Sequence, residues 1–295
     1  MSEFIRPAHG QNGAMVRIGR VSIGGGESVK VMGIINASPE SFYKDSVKTS
    51  GSDIAAAARL MQRAGAHIID VGGMSTAPYL QTLIPVEKEI DRVNAAIKAV
   101  KEGCDLPISV DTPRAQVAAE ATRLGADAIN DVTGLKHDSK MAHLVAGCRV
   151  PVIIGAYSTE VKAGTIQATM GALRQSISIA KNNGIESEQL IVDPSVGFFR
   201  ESGTSPFFTR MTDMPWYARD IEVISKVEQV TKLAPTCISV SGKSFIGELL
   251  NIRDPKDRLV PSIACEVYAA LHGASIIRTH NVRETVEAIT MAGMF

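Results

Sequence analysis

The feature that most constrains the fold is a pattern that recurs along the chain: a short apolar run, a polar residue, then a helical segment. It is clearest at Val192-Asp193-Pro194 and at Ser239-Val240-Ser241-Gly242-Lys243. An apolar run bounded by turn residues is typical of a strand buried on both faces. A carboxylate or an ammonium at the end of such a strand is costly to bury unless it faces a ligand. The pattern therefore predicts parallel strands whose carboxyl ends carry a polar site.

Eight such runs occur, and each is followed by a helix or by a loop that contains one. The predicted strands cover residues 31–35, 67–71, 107–110, 128–129, 151–154, 190–192, 237–240 and 275–277. The predicted helices include residues 53–64, 85–102, 166–183, 218–233 and 282–291. Eight successive β/α units are the sequence form of a (β/α)8 TIM barrel.

A doubly wound α/β sheet is the alternative fold. It usually has fewer strands and a glycine-rich turn after the first one. Here the first strand is followed by Asn36-Ala37-Ser38-Pro39, which cannot form that turn. The barrel is therefore favoured, and all strand tips should lie on one rim.

Outside the barrel pattern, residues 1–15 are expected to form a loose leader, and residues 16–295 a single barrel domain. The segment 16–23 alternates with period two and is followed by Gly24-Gly25-Gly26 and Ser28-Val29-Lys30, so an N-terminal β-hairpin that turns at the triple glycine is expected before the first barrel strand. Gly24-Gly25-Gly26 could belong to a phosphate-binding loop, but no strand-loop-helix context follows. A turn is the better interpretation of these glycines.

Composition limits the function. Formal net charge is +0 over 295 residues, which argues against binding nucleic acid. No run approaches the roughly 18 apolar residues that a membrane span needs. The four cysteines are far apart and form no C-x-x-C pair, so we expect buried thiols in a reducing compartment rather than a zinc site. A cytoplasmic protein without membrane contact is expected.

A barrel would bring one set of polar residues to a single mouth: Asn36, Thr76, Asp111, Asn130, Asp193, Lys243, Arg278 and His280. Each also has a structural interpretation. Asp111 could cap a helix, Asn130-Asp131 could be a turn pair, and Arg278 could bond to His280. A barrel rim has no structural need for so many polar groups, so a binding site is favoured.

The chemistry of these residues divides into two groups. Asp111, Asn130, Asp193 and Lys243 suit a flat heterocycle that is rich in N–H donors and ring acceptors. Asn36, Thr76, Arg278 and His280 offer donors and a possible metal ligand, which suits phosphate. Together they indicate a ligand that has a ring and a phosphorylated arm.

Several motifs in this order resemble dihydropteroate synthase and its archaeal relatives, within the pterin-binding superfamily. The similarity covers residues 31–289. It rests on Met32-Gly33-Ile34-Ile35-Asn36-Ala37-Ser38-Pro39-Glu40-Ser41-Phe42, Asp70-Val71-Gly72-Gly73-Met74-Ser75-Thr76, Ser109-Val110-Asp111-Thr112, Ile129-Asn130-Asp131, Asp193-Pro194, Gly197-Phe198, Lys243-Ser244-Phe245-Ile246-Gly247 and Arg278-Thr279-His280.

The resemblance implies a cytoplasmic, homodimeric transferase that displaces diphosphate from 6-hydroxymethyl-7,8-dihydropterin diphosphate with an arylamine. It implies that Asp111, Asn130, Asp193 and Lys243 hold the pterin. It further implies that Asn36, Arg278 and His280, with Mg²⁺ on Asn36, hold the diphosphate. Ser75 and Thr76 would also bind substrate, and the catalytic set would be Asn36, Lys243, Arg278 and His280.

The chain departs from the family at the arylamine end. The family usually has arginine where Ala77 and Gly242 stand here, and Asp-Pro-Gly where this chain has Asp193-Pro194-Ser195. Gly155-Ala156-Tyr157 replaces a common Met-His pair, and an extra segment, 200–217, contains the sole tryptophan. The identity of the arylamine and the role of that segment are therefore open.

Three hypotheses follow. The first is a synthase for p-aminobenzoate or for a larger ribofuranosyl-aminobenzene phosphate of methanopterin pathways, with Arg200 or Arg219 meeting the phosphate. The second is a pterin-dependent methyltransferase that passes a methyl group to a corrinoid protein. Because such an enzyme needs no diphosphate contacts, Arg278-Thr279-His280 and Lys243-Ser244-Phe245 count against it. The third is a non-catalytic pterin-binding barrel.

Overall fold

The computed structural model of the protein describes residues 14–39 and 50–295, so most of the expected leader lies outside the described residues. The described strands are β1 (Val16–Ile18), β2 (Val21–Ile23), β3 (Lys30–Asn36), β4 (Ile68–Gly72), β5 (Ile108–Asp111), β6 (Ala128–Asp131), β7 (Val152–Gly155), β8 (Leu190–Asp193), β9 (Phe199–Arg200), β10 (Thr209–Arg210), β11 (Cys237–Ile238) and β12 (Ile276–Thr279).

Eight of these strands form one parallel sheet in the order β11-β12-β3-β4-β5-β6-β7-β8. A parallel bridge between Val192 and Thr236 joins β8 to the residue before β11. The Val192 N–H also donates to the carbonyl of Pro235 at 2.9 Å. The sheet therefore forms a nearly closed barrel, and the TIM-barrel prediction is confirmed.

The α-helices follow the strands and cover the outside of the barrel. They are α1 (Gly51–Arg63), α2 (Val86–Gly103), α3 (Ala115–Arg123), α4 (Met141–Cys148), α5 (Ile166–Asn182), α6 (Trp216–Ser225), α7 (Val227–Val230), α8 (Ser244–Leu250), α9 (Leu259–Leu271) and α10 (Val282–Ala292). The single helix expected over 218–233 is two helices, since the chain leaves helical geometry at Lys226 (φ −114°, ψ 22°). The seventh barrel strand is shorter than expected and ends at Ile238.

Alternation along each barrel strand divides its residues between two cores. Successive strand side chains point to opposite faces. The outward set, such as Val31, Ile35 and Ile69, packs against the helices in one large cluster. The inward set fills the amino-terminal half of the barrel: Met32, Ile68, Ala128, Ile153, Ile191, Cys237 and Ile276.

An N-terminal hairpin is present, as expected, and closes the amino-terminal end of the barrel, but it turns at Gly19-Arg20 and not at the triple glycine. β1 and β2 pair antiparallel with Val16 opposite Ile23. Val16, Ile18 and Ile23 are fully buried in the inward cluster, so the hairpin plugs the barrel floor. Its turn is at Gly19, where φ is +53° and a Cβ would lie 2.9 Å from Pro107 Cγ, so only glycine fits.

The triple glycine forms a second turn after the hairpin. The Glu27 N–H donates to the carbonyl of Gly24 at 3.0 Å. Gly24, Gly25 and Gly26 all have positive φ. This agrees with the turn interpretation.

The segment between β8 and α6 crosses the carboxyl end of the barrel. β9 pairs parallel with β10. The connection between them reaches the loop after β4, where the Thr204 N–H donates to the carbonyl of Pro78 at 2.8 Å. The Tyr157 hydroxyl donates to the carbonyl of Pro206 at 3.2 Å. The extra segment therefore builds part of the barrel mouth.

All four cysteines are free thiols, but not all are buried as expected. Cys237 is buried inside the barrel, whereas Cys148 at the end of α4 is exposed. Among residues 14–39 and 50–295, no helix is long and apolar enough to span a bilayer.

Candidate active site at the barrel mouth

The barrel mouth contains a cleft, and every predicted site residue lines it. The same alternation that fills the floor places polar side chains above it. Two residues after the inward Ile68 comes Asp70, two after Ala128 comes Asn130, and two after Ile276 comes Arg278. The predicted residues that line the cleft are Asn36, Ser75, Thr76, Asp111, Asn130, Asp193, Lys243, Arg278 and His280.

Two polar residues quoted in the motifs point away from the cleft. Asp131 accepts from the Thr133 N–H at 2.8 Å and from the Leu135 N–H at 2.8 Å, so it holds the loop after β6. The Thr285 hydroxyl donates to Glu266 at 2.7 Å, and its oxygen lies 3.2 Å from the Thr279 hydroxyl oxygen. This buried network joins β12 to α9 and α10.

The centre of the cleft is an ion cluster around Arg278. Its Nη2 lies 2.6 Å from Asp70 Oδ2 and 2.8 Å from Asp111 Oδ2. Its Nε donates to Asp70 Oδ2 at 2.7 Å, and Asn130 Nδ2 donates to the same oxygen at 3.3 Å. Arg278 therefore bonds to two carboxylates rather than to His280.

The ionisation of this cluster is set by burial and mutual charge. Burial raises the pKa of Asp111 to about 7 against the opposing effect of Arg278, and the Asp70 carboxylate adds to the rise. Burial also lowers the pKa of Arg278, but the charges of Asp70 and Asp111 raise it above its ordinary value. Arg278 is therefore a permanent cation, whereas Asp111 titrates near neutral pH.

Two carboxylate oxygens in this cluster are buried acceptors without a hydrogen bond from any described residue: Asp70 Oδ1 and Asp111 Oδ1. A buried acceptor without a donor is costly, so Asp111 Oδ1, whose residue lines the cleft, is suited to a ligand that brings an N–H group.

Asp70 lies behind the lining and orients Arg278 and Asn130. In the sequence, Asp70 is only one residue of the motif that ends at Thr76, and no role was predicted for it. Asp70 lies two residues before Gly72, so its side chain faces the barrel interior, and this position could have indicated a role in the site.

Lys243 and Asp193 form the opposite wall. Lys243 Nζ lies 4.6 Å from the centre of the Phe198 ring. Burial lowers the pKa of Lys243 to about 8, although Asp193 opposes this shift. Gly197, at φ +84°, allows this approach, since a Cβ there would lie 3.2 Å from Lys243 Cδ.

His280 lies above Arg278 as a neutral imidazole. Burial, together with the charges of Arg278 and Lys243, lowers its pKa to about 3. Its Nδ1 lies 3.3 Å from Ser241 Oγ. At neutral pH it can offer a hydrogen bond to a ligand but no positive charge.

The rim contains two arginines that differ in role. Arg219 is fully buried and donates to the carbonyls of Pro194 and Ser195 at 2.7 and 3.0 Å, so it stabilises the loop after β8. The suggestion that it meets a phosphate is therefore wrong. Arg200 lines the cleft, with its guanidinium 3.5 Å from the centre of the Trp216 ring.

Ala77 and Gly242, which stand where the family usually has arginine, differ in their position relative to the cleft. Ala77 lines the cleft, as expected of a residue that makes room there. Gly242 is not among the lining residues. Its N–H donates to Ser262 Oγ at 3.0 Å, and its carbonyl accepts from Arg258 Nη1 at 3.0 Å.

Residues 32–280 match the model of the family described as pterin binding enzyme. The chain belongs to the pterin-binding enzyme family. The predictions of this family and of a transferase are confirmed. Dihydropteroate synthase of Clostridium beijerinckii is 34% identical over 281 residues, which are 94% of this chain and 97% of the relative.

Solved members of the family have the same fold. Dihydropteroate synthase of Coxiella burnetii, in complex with pteroic acid, has a TM-score of 0.78 and is 34% identical over 90% of this chain and 92% of that one. The enzyme of Xanthomonas albilineans, with 4-aminobenzoic acid, has a TM-score of 0.79 and is 28% identical over 95% of this chain and 97% of that one.

The loop after β8 contains a strained residue that generates a stability prediction. Ser195 has φ +56°, a left-handed conformation that costs a side chain with a Cβ about 1–2 kcal/mol. We expect Ser195→Gly to raise the free energy of unfolding by about 1 kcal/mol, since the relieved strain exceeds the added entropy of unfolded glycine. Urea unfolding at pH 7 measures this change.

Ser195→Ala is the matched control, because it keeps the Cβ and removes only the hydroxyl. Its free energy of unfolding should not rise. Equal stabilisation by alanine and by glycine would show that the left-handed backbone is not the cause.

Proposed function

We propose that this protein condenses 6-hydroxymethyl-7,8-dihydropterin diphosphate with p-aminobenzoate and releases diphosphate. The observation that carries the proposal is the buried acceptor oxygen Asp111 Oδ1, which belongs to a residue of the cleft lining and lies beside a permanently charged arginine. In the reaction the bond from the pterin methylene carbon to the diphosphate oxygen breaks and a carbon–nitrogen bond forms. The arylamine nitrogen then loses a proton.

The pterin is proposed to lie deep in the cleft. Asp111, Asn130 and Asp193 present oxygens to its N–H edge, and Lys243 and Asn130 present donors to its ring acceptors. Their depth supports this role, since Asp111, Asn130 and Asp193 all end strands of the barrel. Rigid strands hold such groups more accurately than loops do.

The diphosphate is proposed to lie above the pterin, toward Arg278, His280 and Asn36, with Ser75 and Thr76 as further donors. Asn36 Oδ1 belongs to this side of the mouth, since a Cβ on Gly72 would lie 3.6 Å from it. Arg278 and a hydrogen bond from His280 would stabilise the charge that develops on the leaving group.

The lining of the cleft supports Mg²⁺ as a cofactor. Asp111 and Asp193 lie beside Arg278 and Lys243 in it, so these side chains alone supply little net positive charge for a diphosphate. Among the described residues no group of three His, Cys, Asp or Glu could hold a metal ion. Mg²⁺ needs few protein ligands when phosphates complete its shell, and the amide oxygen of Asn36 suits it. When bound, it would neutralise charge on the leaving diphosphate.

The prediction for this site concerns binding of the diphosphate. Isothermal titration with the dihydropterin diphosphate should show tighter binding with Mg²⁺ than without it, and tighter than for the reduced pterin that lacks the diphosphate. Arg278→Ala should weaken binding of the diphosphate ligand about tenfold or more, since a charge-assisted contact is lost.

Equal affinity for the two pterins, in both protein variants, would contradict the diphosphate site and favour a methyl-carrying pterin and a corrinoid partner. Arg283→Ala is the control, because Arg283 lies on the exposed side of α10 and pairs with Glu287. Its affinities should equal those of the unmodified protein.

We also propose a homodimer formed through the later helices. Apolar side chains are exposed on α8, α9 and α10, among them Leu250 (56%), Val260 (76%) and Met291 (57%). Exposed apolar patches of this kind are typical of protein interfaces. Sedimentation velocity at micromolar concentration should give twice the chain mass, and Val260→Asp should shift the protein toward monomer. A cytoplasmic location and an archaeal, methanopterin-type role stay predictions.

A further inference from the structure

We propose that Arg200 is the residue that recognises the acidic group of the second substrate. The inference rests on the proposed function and adds to it the site at which the arylamine's acid binds. It concerns a side chain of the cleft lining, to which Ala77 also belongs.

The guanidinium of Arg200 is held in a fixed orientation. It stacks on Trp216, with its central carbon 3.5 Å from the ring centre. Its Nε donates to the carbonyl of Gly197 at 3.1 Å, and its Nη2 donates to Ser244 Oγ at 2.6 Å. A planar fork that is already oriented loses little entropy when it binds an anion.

The charge of Arg200 is available to a ligand. The two other cations that line the cleft face carboxylates, since Arg278 bonds to Asp70 and Asp111 and the charge of Asp193 acts on Lys243. Within residues 14–39 and 50–295, no carboxylate lies within 4.0 Å of the Arg200 guanidinium.

Burial lowers the pKa of Arg200 against the opposing charge of Asp220, and Asp220 itself pairs with Arg219 at 3.1 Å. Arg200 is only 8% exposed, and a largely desolvated cation favours an anionic partner.

The space beside Arg200 fits an aromatic ring. Phe198, under Lys243, and Tyr79, 5.8 Å from the Arg200 guanidinium, both line the cleft. Arg200 Nη2 donates to Ser244, the residue that directly follows Lys243, so Arg200 and Lys243 lie at the same part of the cleft. A single ring could therefore place its amine at the pterin end and its acid at Arg200.

The test compares a charged arylamine with a neutral one of the same shape. Initial rates are measured with p-aminobenzoate and with 4-aminobenzamide, at saturating dihydropterin diphosphate. Arg200→Met should raise the KM for p-aminobenzoate about tenfold or more, since a charged hydrogen bond is lost. The KM for 4-aminobenzamide and the KM for the pterin should each stay within about twofold of the unmodified protein.

Arg210→Met is the matched control. Arg210 lies opposite Arg200 in the pairing of β9 with β10, but it is exposed and does not line the cleft. All three KM values should be unchanged in it. Arg200→Lys keeps the charge and loses the planar fork, so its KM for p-aminobenzoate should be intermediate, which tests the proposal even if the methionine variant does not fold.

A third substrate identifies the acid. If an arylamine with a phosphate on a sugar arm has the lower KM and the larger loss in Arg200→Met, the anion is a phosphate rather than a carboxylate.

Two results would overturn the assignment while the proposed function stands. One is an equal rise in KM for the charged and the neutral arylamine, which would mean that Arg200 only supports the rim. The other is an unchanged KM for every acidic arylamine in Arg200→Met. Absence of turnover in the unmodified protein with all arylamines would instead contradict the proposed function, and the inference with it.

Discussion

The ion cluster of Arg278 with Asp70 and Asp111 is the interaction on which the mouth of this barrel depends. Asp70 is fully buried, and an unpaired buried carboxylate would be strongly destabilising. Arg278 on β12 compensates both carboxylates and so connects β12 with β4 and β5 across the barrel. The same pairing raises the pKa of Arg278, which keeps its charge permanent, while Asp111 is left to titrate near pH 7.

The alternation of side chains along the strands brings these polar groups together in one site. Because side chains alternate between faces, one phase of every barrel strand is apolar near the hairpin plug and polar at the mouth. Ile68 and Asp70 illustrate it on β4, and Ile276 and Arg278 on β12. The plug closes the floor, so a ligand can enter only from the polar end.

Much of this could be predicted from the sequence. Most of the strands end in a conspicuous polar residue, and a barrel has only one rim at which such residues can meet, so Asn36, Asp111, Asp193 and Lys243 could be placed in one cleft without a structure. Asp70 was not assigned a role because it lies inside an apolar run, where only tertiary packing shows what compensates its charge. The different roles of Arg200 and Arg219 could not be predicted either. Both follow the same strand, and only the fold shows that one lines the cleft and the other supports the loop beneath it.

The most direct test of the account is the complete reaction. Purified protein is incubated with 6-hydroxymethyl-7,8-dihydropterin diphosphate, p-aminobenzoate and Mg²⁺, and both products are quantified, dihydropteroate by mass spectrometry and diphosphate enzymatically. The account predicts that the two products form in equal amounts and only when the arylamine is present. Binding of the pterin without arylamine-dependent release of diphosphate would contradict it.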